Sequence, residues 1–168
     1  VYFYLLGQQL GIQEIHKFSR RFGLGAPTGI DLAGEVSGLV PSEQWKRQVR
    51  GQPWYDGETI SVSIGQGPIL TTPAQLARAV GIIATGTVAP LHLLKGRVGD
   101  LSGSTQTLSG INFPQRNLQL VRDAMWSVVN EWGTGYRAQV SGFQVCGKTG
   151  TAQIIGNTNR QRLSEAAA

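Results

Sequence analysis

The sequence has a single cysteine, Cys146, which excludes an internal disulfide framework and a zinc site built on several cysteines. Its two histidines, His16 and His92, are too few for a metal centre of three or four ligands. Both are read as structural, and no metal or other cofactor is expected. Charge is also scarce: Asp, Glu, Lys and Arg make up 15% of the chain, against about 25% in soluble proteins generally. No apolar run approaches the roughly 18 residues that a membrane-crossing helix needs. There is no internal repeat, and the 23 glycines follow no G-X-Y period, which excludes collagen.

What is present fits a folded domain. The chain has 168 residues, enough for one domain or part of one. Hydrophobic residues are 40% of it, which argues against disorder. A chain of this length buries a core without a disulfide or metal staple. Fifteen Lys and Arg against ten Asp and Glu leave a net charge of +5. Trp45, Lys46, Arg47, Arg50, Trp54 and Tyr55 mix basic and aromatic side chains, a pattern that single-stranded nucleic acid uses. The other basic residues are scattered and no nucleic-acid fold signature accompanies them, so no nucleic-acid partner is expected. The ends lack ordinary punctuation. Val1 to Leu6 is apolar with no positive residue ahead of it, unlike a signal peptide. Leu163 to Ala168 is helix-prone without a closing turn. An internal piece of a longer chain is expected.

Ile12, Ile15, Phe18 and Phe22 recur at helical spacing, with Gly23 as a stop, so residues 1–23 are expected to form one or two helices. Residues 24–69 are rich in turn signals, among them Ala26-Pro27-Thr28-Gly29 and Tyr55-Asp56-Gly57, and predict ordered loops with short strands. Thr72-Pro73-Ala74-Gln75 is a capping box with proline at the first helical position. The helix it opens is expected to show Leu76, Val80 and Ile83 on one face and to stop at Gly86. Leu91–Val98 suggests a strand and Gly99–Gly110 a polar hairpin or loop. A further helix is expected from about Pro114 to Trp132, closed by Gly133, and then a strand over Phe143–Ile155.

Two motifs overlap in that last segment. Gly142 to Thr149 fits G-x-x-x-x-G-K-[ST], the phosphate-binding loop, but that loop needs a helix directly behind it. The residues around it are strand formers. Lys148-Thr149-Gly150 fits the K-T-G triad of serine β-lactamases and penicillin-binding proteins, which lies on a strand lining the site. The residue types suit that chemistry. A lysine brings positive charge toward a carboxylate and a serine, threonine hydroxyls bond the carboxylate, and glycine lets a substrate approach the backbone. Cys146 has no His or Asn near it in sequence and is read as a small buried hydrophobe.

The order of blocks separates these readings. Thr28-Gly29-Ile30-Asp31-Leu32, Gly65-Gln66-Gly67, Thr72 to Ala77, Gly133-Thr134 and Gly147 to Gln153 occur in the order found in class B penicillin-binding proteins. The stretches Pro41 to Lys46, Pro53-Trp54-Tyr55 and Gly57 to Ile60 resemble the elongation-type (penicillin-binding protein 2) branch more than the division type. The resemblance covers nearly the whole chain. It implies a mixed α/β fold of β-lactamase-like type, with helices around a mainly antiparallel sheet. It also implies a peptidoglycan D,D-transpeptidase that cross-links stem peptides ending in D-Ala-D-Ala through a serine acyl-enzyme and is a target of β-lactams. Lys148 and Thr151 are then catalytic, the Thr151 N–H serving the oxyanion hole, and Thr149, Gly150 and Thr151 bind substrate. The basic–aromatic stretch becomes a loop near the cleft. Cell-elongation proteins would be partners, and the parent would be anchored upstream in the bacterial inner membrane and act at its periplasmic face.

The family also uses S-x-x-K for its nucleophile and S-x-N or S-x-D beside it. No serine here has Lys three residues on, or Asn or Asp two residues on. Residues 1–168 are therefore expected to be a partial transpeptidase domain, truncated at both ends and inactive alone. The alternatives are a catalytically dead interaction module on the same scaffold and a P-loop nucleotide-binding protein.

Overall fold

A computed structural model of the chain describes residues 1–94 and 113–151. Among these are α1 (Tyr2–Arg21), α2 (Glu43–Arg50), α3 (Asp56–Ser63), α4 (Pro73–Thr85), α5 (Gln115–Asn130) and a 3-10 turn at Tyr136–Ala138. The chain divides into two compact units, Val1–Met125 and Trp126–Ala168.

In the first unit, α1 carries a break at Gly11, whose φ of 73° lies where glycine alone is at ease. Its apolar spacing brings Phe18 and Phe22 onto Phe113, with ring centroids 5.9 and 4.7 Å away. Phe22 and Val88 then pack on a buried cluster of Ile82, Phe113 and Leu118. The capping box at the start of α4 is formed: Thr72 Oγ1 accepts from Gln75 N and Gln75 Oε1 accepts from Thr72 N, both at 3.1 Å. Gly86 ends the helix in the left-handed conformation. The expected apolar face is not the most buried one, however. Leu76 and Val80 are half exposed, whereas Gln75, Arg78 and Ile82 are buried.

The buried polar side chains of α4 hold the loop before it. Gln75 Nε2 donates to the Ala26 and Ser37 carbonyls at 2.7 Å each. Arg78 donates to the Thr28 carbonyl. Glu35 accepts from Thr28 N at 2.6 Å, Thr28 Oγ1 at 2.5 Å and Gly29 N at 2.9 Å. Burial pushes the Glu35 carboxyl up, but these hydrogen bonds outweigh it and hold the group below its ordinary value. Gly38 fits because a Cβ there would lie 2.5 Å from the Leu70 oxygen.

Residues 24–69 contain two helices where loops and short strands were expected. Both are eight residues long, too short for a periodic apolar stripe, and α3 is rich in β-branched residues of low helix propensity. Tertiary contacts sustain them. Lys46 of α2 is buried and reaches Glu58 of α3 at 2.5 Å, with its ammonium 4.1 Å from the Tyr55 ring. The basic–aromatic stretch thus turns its central lysine into the fold. Gly7 of α1 meets α3 so closely that a Cβ would lie 2.3 Å from the Ser63 Cβ.

The expected antiparallel sheet is not found among the described residues. Its place is taken by one isolated bridge, Leu39 to Leu70, with N···O distances of 2.8 and 2.9 Å. Residues 143–151 run irregularly, with no strand paired to them. Strand-forming composition gives a preference, but a ladder needs a second strand. Leu91–Leu94 is irregular too. The rest of that expected strand, the Gly99–Gly110 hairpin, residues 152–155 and the Leu163–Ala168 end lie outside the described residues.

Candidate functional site

The second unit begins in the last turn of α5. The helix closes at Asn130, two residues before the expected end, and Trp132 takes the left-handed φ of 59°. Gly133 is required by contact: a Cβ there would lie 2.4 Å from the Val128 oxygen. That carbonyl, one of those a helix leaves without a partner at its C-terminus, accepts from Gly135 N at 3.0 Å. Trp132-Gly133-Thr134-Gly135 is therefore a tight loop folded back on the helix end.

This loop and the helix end hold the segment carrying the K-T-G triad at alternate residues. Asn130 Nδ2 donates to the Val145 carbonyl at 2.9 Å and to the Trp126 carbonyl at 2.9 Å. Gly147 lies over buried Val129, so that a Cβ would sit 3.4 Å from Val129 Cγ2. Thr149 Oγ1 and Thr134 Oγ1 are 2.9 Å apart. Cys146 and Lys148 fall between these attachments and are exposed. The reading of Cys146 as buried is corrected: its thiol is free and exposed, because Gly147 and not Cys146 meets the helix.

Lys148 Nζ donates to the Thr149 carbonyl at 2.6 Å. Gly150 is exposed, and a Cβ on it would meet nothing within 4 Å. Thr151 is exposed and closes the described segment. Lys148 and Thr149 are thus brought together with Thr134. An ammonium and hydroxyls grouped on a surface bearing one glycine without a neighbour suit an anion such as a carboxylate. No group of His, Cys, Asp or Glu able to hold a metal ion occurs among the described residues. Residues 147–151 form no helical turn, so the phosphate-binding reading lacks the helix N-terminus it needs. Sequence reasoning singled out Gly133-Thr134 only as a family block and missed Asn130. An asparagine in the last turn of a helix is its one local sign.

The penicillin binding protein transpeptidase domain matches residues 1–167. The chain belongs to that family. Within it, the chain is 40% identical to the peptidoglycan D,D-transpeptidase MrdA of Acinetobacter baumannii over 171 residues, covering 99% of this chain and 25% of the relative. Among solved structures, PBP2 of Pseudomonas aeruginosa in complex with WCK 5153 superposes with a TM-score of 0.84 at 37% identity, over 91% of this chain and 36% of that one. The complex between PBP2 and MreC from Helicobacter pylori matches with a TM-score of 0.75 at 34% identity, over 91% and 28%. The penicillin-binding fold and the likeness to penicillin-binding protein 2 expected from the ordered blocks are both borne out. The chain spans about a quarter of the length of the curated relatives it matches.

Proposed function

We propose that residues 1–168 are the part of a peptidoglycan D,D-transpeptidase that supplies the K-T-G wall of its active site, with the nucleophilic serine contributed by residues outside this stretch. The observation that carries this reading is the pinning of Lys148 and Thr149 beside Thr134, in a family member whose 168 residues contain no S-x-x-K. The serine hydroxyl attacks the carbonyl between the two D-Ala residues of a stem peptide, losing its proton to a neighbouring base. The C-N bond breaks, and the terminal D-Ala leaves as the protonated amine. An amine of a second stem peptide then displaces the serine from the ester. Lys148 sets positive charge beside the serine and the substrate carboxylate, and Thr149 and Thr151 bond that carboxylate. Gly150 admits the peptide, and the Thr151 N–H donates to the oxyanion, the type of contact that lowers the acyl-transfer barrier most. Splitting the transfer in two keeps each barrier low. A β-lactam presents the same carboxylate and acylates the same serine.

In the parent, residues 146–151 serve as a strand of the antiparallel sheet, pairing with segments outside this stretch. In this reading the parent acts at the periplasmic face of the inner membrane, anchored upstream, and has an elongation-complex protein of the MreC kind as a partner, a reading supported by the PBP2–MreC complex from Helicobacter pylori. Covalent labelling with a fluorescent penicillin tests the reading. In the full-length parent, Lys148→Ala should lower the acylation rate by more than about a hundredfold, the scale of losing a positioned electrostatic group. Thr149→Val should lower it less. Near-normal labelling of Lys148→Ala would remove Lys148 from the site.

A further inference from the structure

We propose that Thr134 is a positioning residue for carboxylate recognition: its hydroxyl donates to Thr149 Oγ1 and turns the Thr149 hydrogen toward the substrate. The proposal rests on the reading that Thr149 meets the substrate carboxylate. The two Oγ1 atoms are 2.9 Å apart. Each hydroxyl has one hydrogen to give and lone pairs to accept, whereas an ionised carboxylate only accepts. When a carboxylate lies against Thr149, the hydrogen facing it is the Thr149 hydrogen, and the bond between the two threonines must then run from Thr134. Hydroxyl, hydroxyl and carboxylate form a chain in which each bond polarises the next.

Both ends of this relay are held in place. Thr134 sits in the loop locked by the close approach of Gly133 to Val128 and by the 3.0 Å bond from Gly135 N to the Val128 oxygen. Thr149 is held through Asn130 on the Val145 carbonyl, through Gly147 over Val129, and by Lys148 Nζ on its own carbonyl. Threonine has few χ1 choices, so the donor is ordered before substrate arrives and binding costs less ordering. A valine at 134 keeps the shape and removes the donor, leaving the Thr149 hydrogen free to rotate away.

The test compares acylation of the full-length parent by benzylpenicillin and by its methyl ester, which lacks the ionised carboxylate. Thr134→Val should lower the second-order acylation rate with the acid about tenfold, the scale of one lost charge-assisted bond. The same variant should change the rate with the ester by less than about twofold, since the ester offers no such bond. Thr134→Ser, which keeps the hydroxyl, should recover the acid rate to within about threefold. In a Thr149→Val background, Thr134→Val should add no further loss, because the pair acts as one unit. Equal losses with acid and ester, or additive losses in the double variant, overturn the proposal, since they mark a merely structural role. Failure of benzylpenicillin to acylate the unaltered parent would instead overturn the proposed function.

Discussion

Among the described residues, a carboxamide in each unit holds irregular chain against a helix. In the first unit, Gln75 is fully buried at the start of α4, and its Nε2 serves two carbonyls, those of Ala26 and Ser37. In the second, Asn130 is half buried at the end of α5 and serves one loop carbonyl, that of Val145, besides a carbonyl of its own helix. The chemistry is shared and the surroundings differ. Around Gln75 lie other buried polar groups, with Arg78 on Thr28 and Glu35 on Thr28 and Gly29. Among the described residues of this unit only Val129 is buried, and Cys146, Lys148, Thr149, Gly150 and Thr151 are exposed. An unmade bond is costly in a dry site and cheap in a wet one. The polar anchors of the first unit are therefore built into its interior, whereas those of the second fix a segment whose side chains stay exposed.

The largest stability effect should come from Gln75→Leu in the parent, which removes the part-buried hydrogen bonds of the Ala26 and Ser37 carbonyls and of the Thr72 N–H. We expect a loss of about 3 kcal/mol, from the loss of three part-buried hydrogen bonds at about 1 kcal/mol each. A urea unfolding midpoint checks it, and an unchanged midpoint would break the contrast. Acid should act on the same region. Glu35 and Glu58 are pushed up by burial, but both end below their ordinary value of 4.5. Their hydrogen bonds prevail, for Glu58 those from Lys46 and the Tyr55 N–H. Because folding lowers these values, the stabilisation is complete above the ordinary value and is lost as pH falls below 4.5 through the lower folded value. Glu35→Gln should flatten that acid loss, as read from unfolding midpoints across the acid range. The smallest stability effect should be that of Asn130→Ala, about 1 kcal/mol for two partly solvated bonds. Penicillin acylation should fall more than that stability change suggests, because the Val145 anchor sets the position of Lys148. A large stability loss with unchanged acylation would reverse the roles assigned to the two units.

What the sequence made legible follows from which forces are local. The cap at Thr72, the stops at Gly23 and Gly86 and the extent of α4 depend on neighbouring residues and were readable. The inward face of α4 was not, since Gln75 and Arg78 are buried only because distant carbonyls at 26, 28 and 37 accept from them. Helices α2 and α3 were missed because Lys46–Glu58 and the close approach at Gly7 sustain them, not periodicity. At the site, the K-T-G triad and Gly133-Thr134 stood out as ordered blocks. The bond joining Thr134 to Thr149 spans 15 positions and left no local sign. The strand expected at 143–155 had the composition for pairing, and no described residue pairs with its described part, 143–151.

The most direct test of the central claim is a peptide map of the full-length parent after reaction with benzylpenicillin, read by mass spectrometry. A single penicilloyl adduct on a serine outside residues 1–168, lost or strongly reduced in Lys148→Ala, is the predicted result. An adduct on any residue within 1–168, or no adduct at all on the unaltered parent, would contradict it.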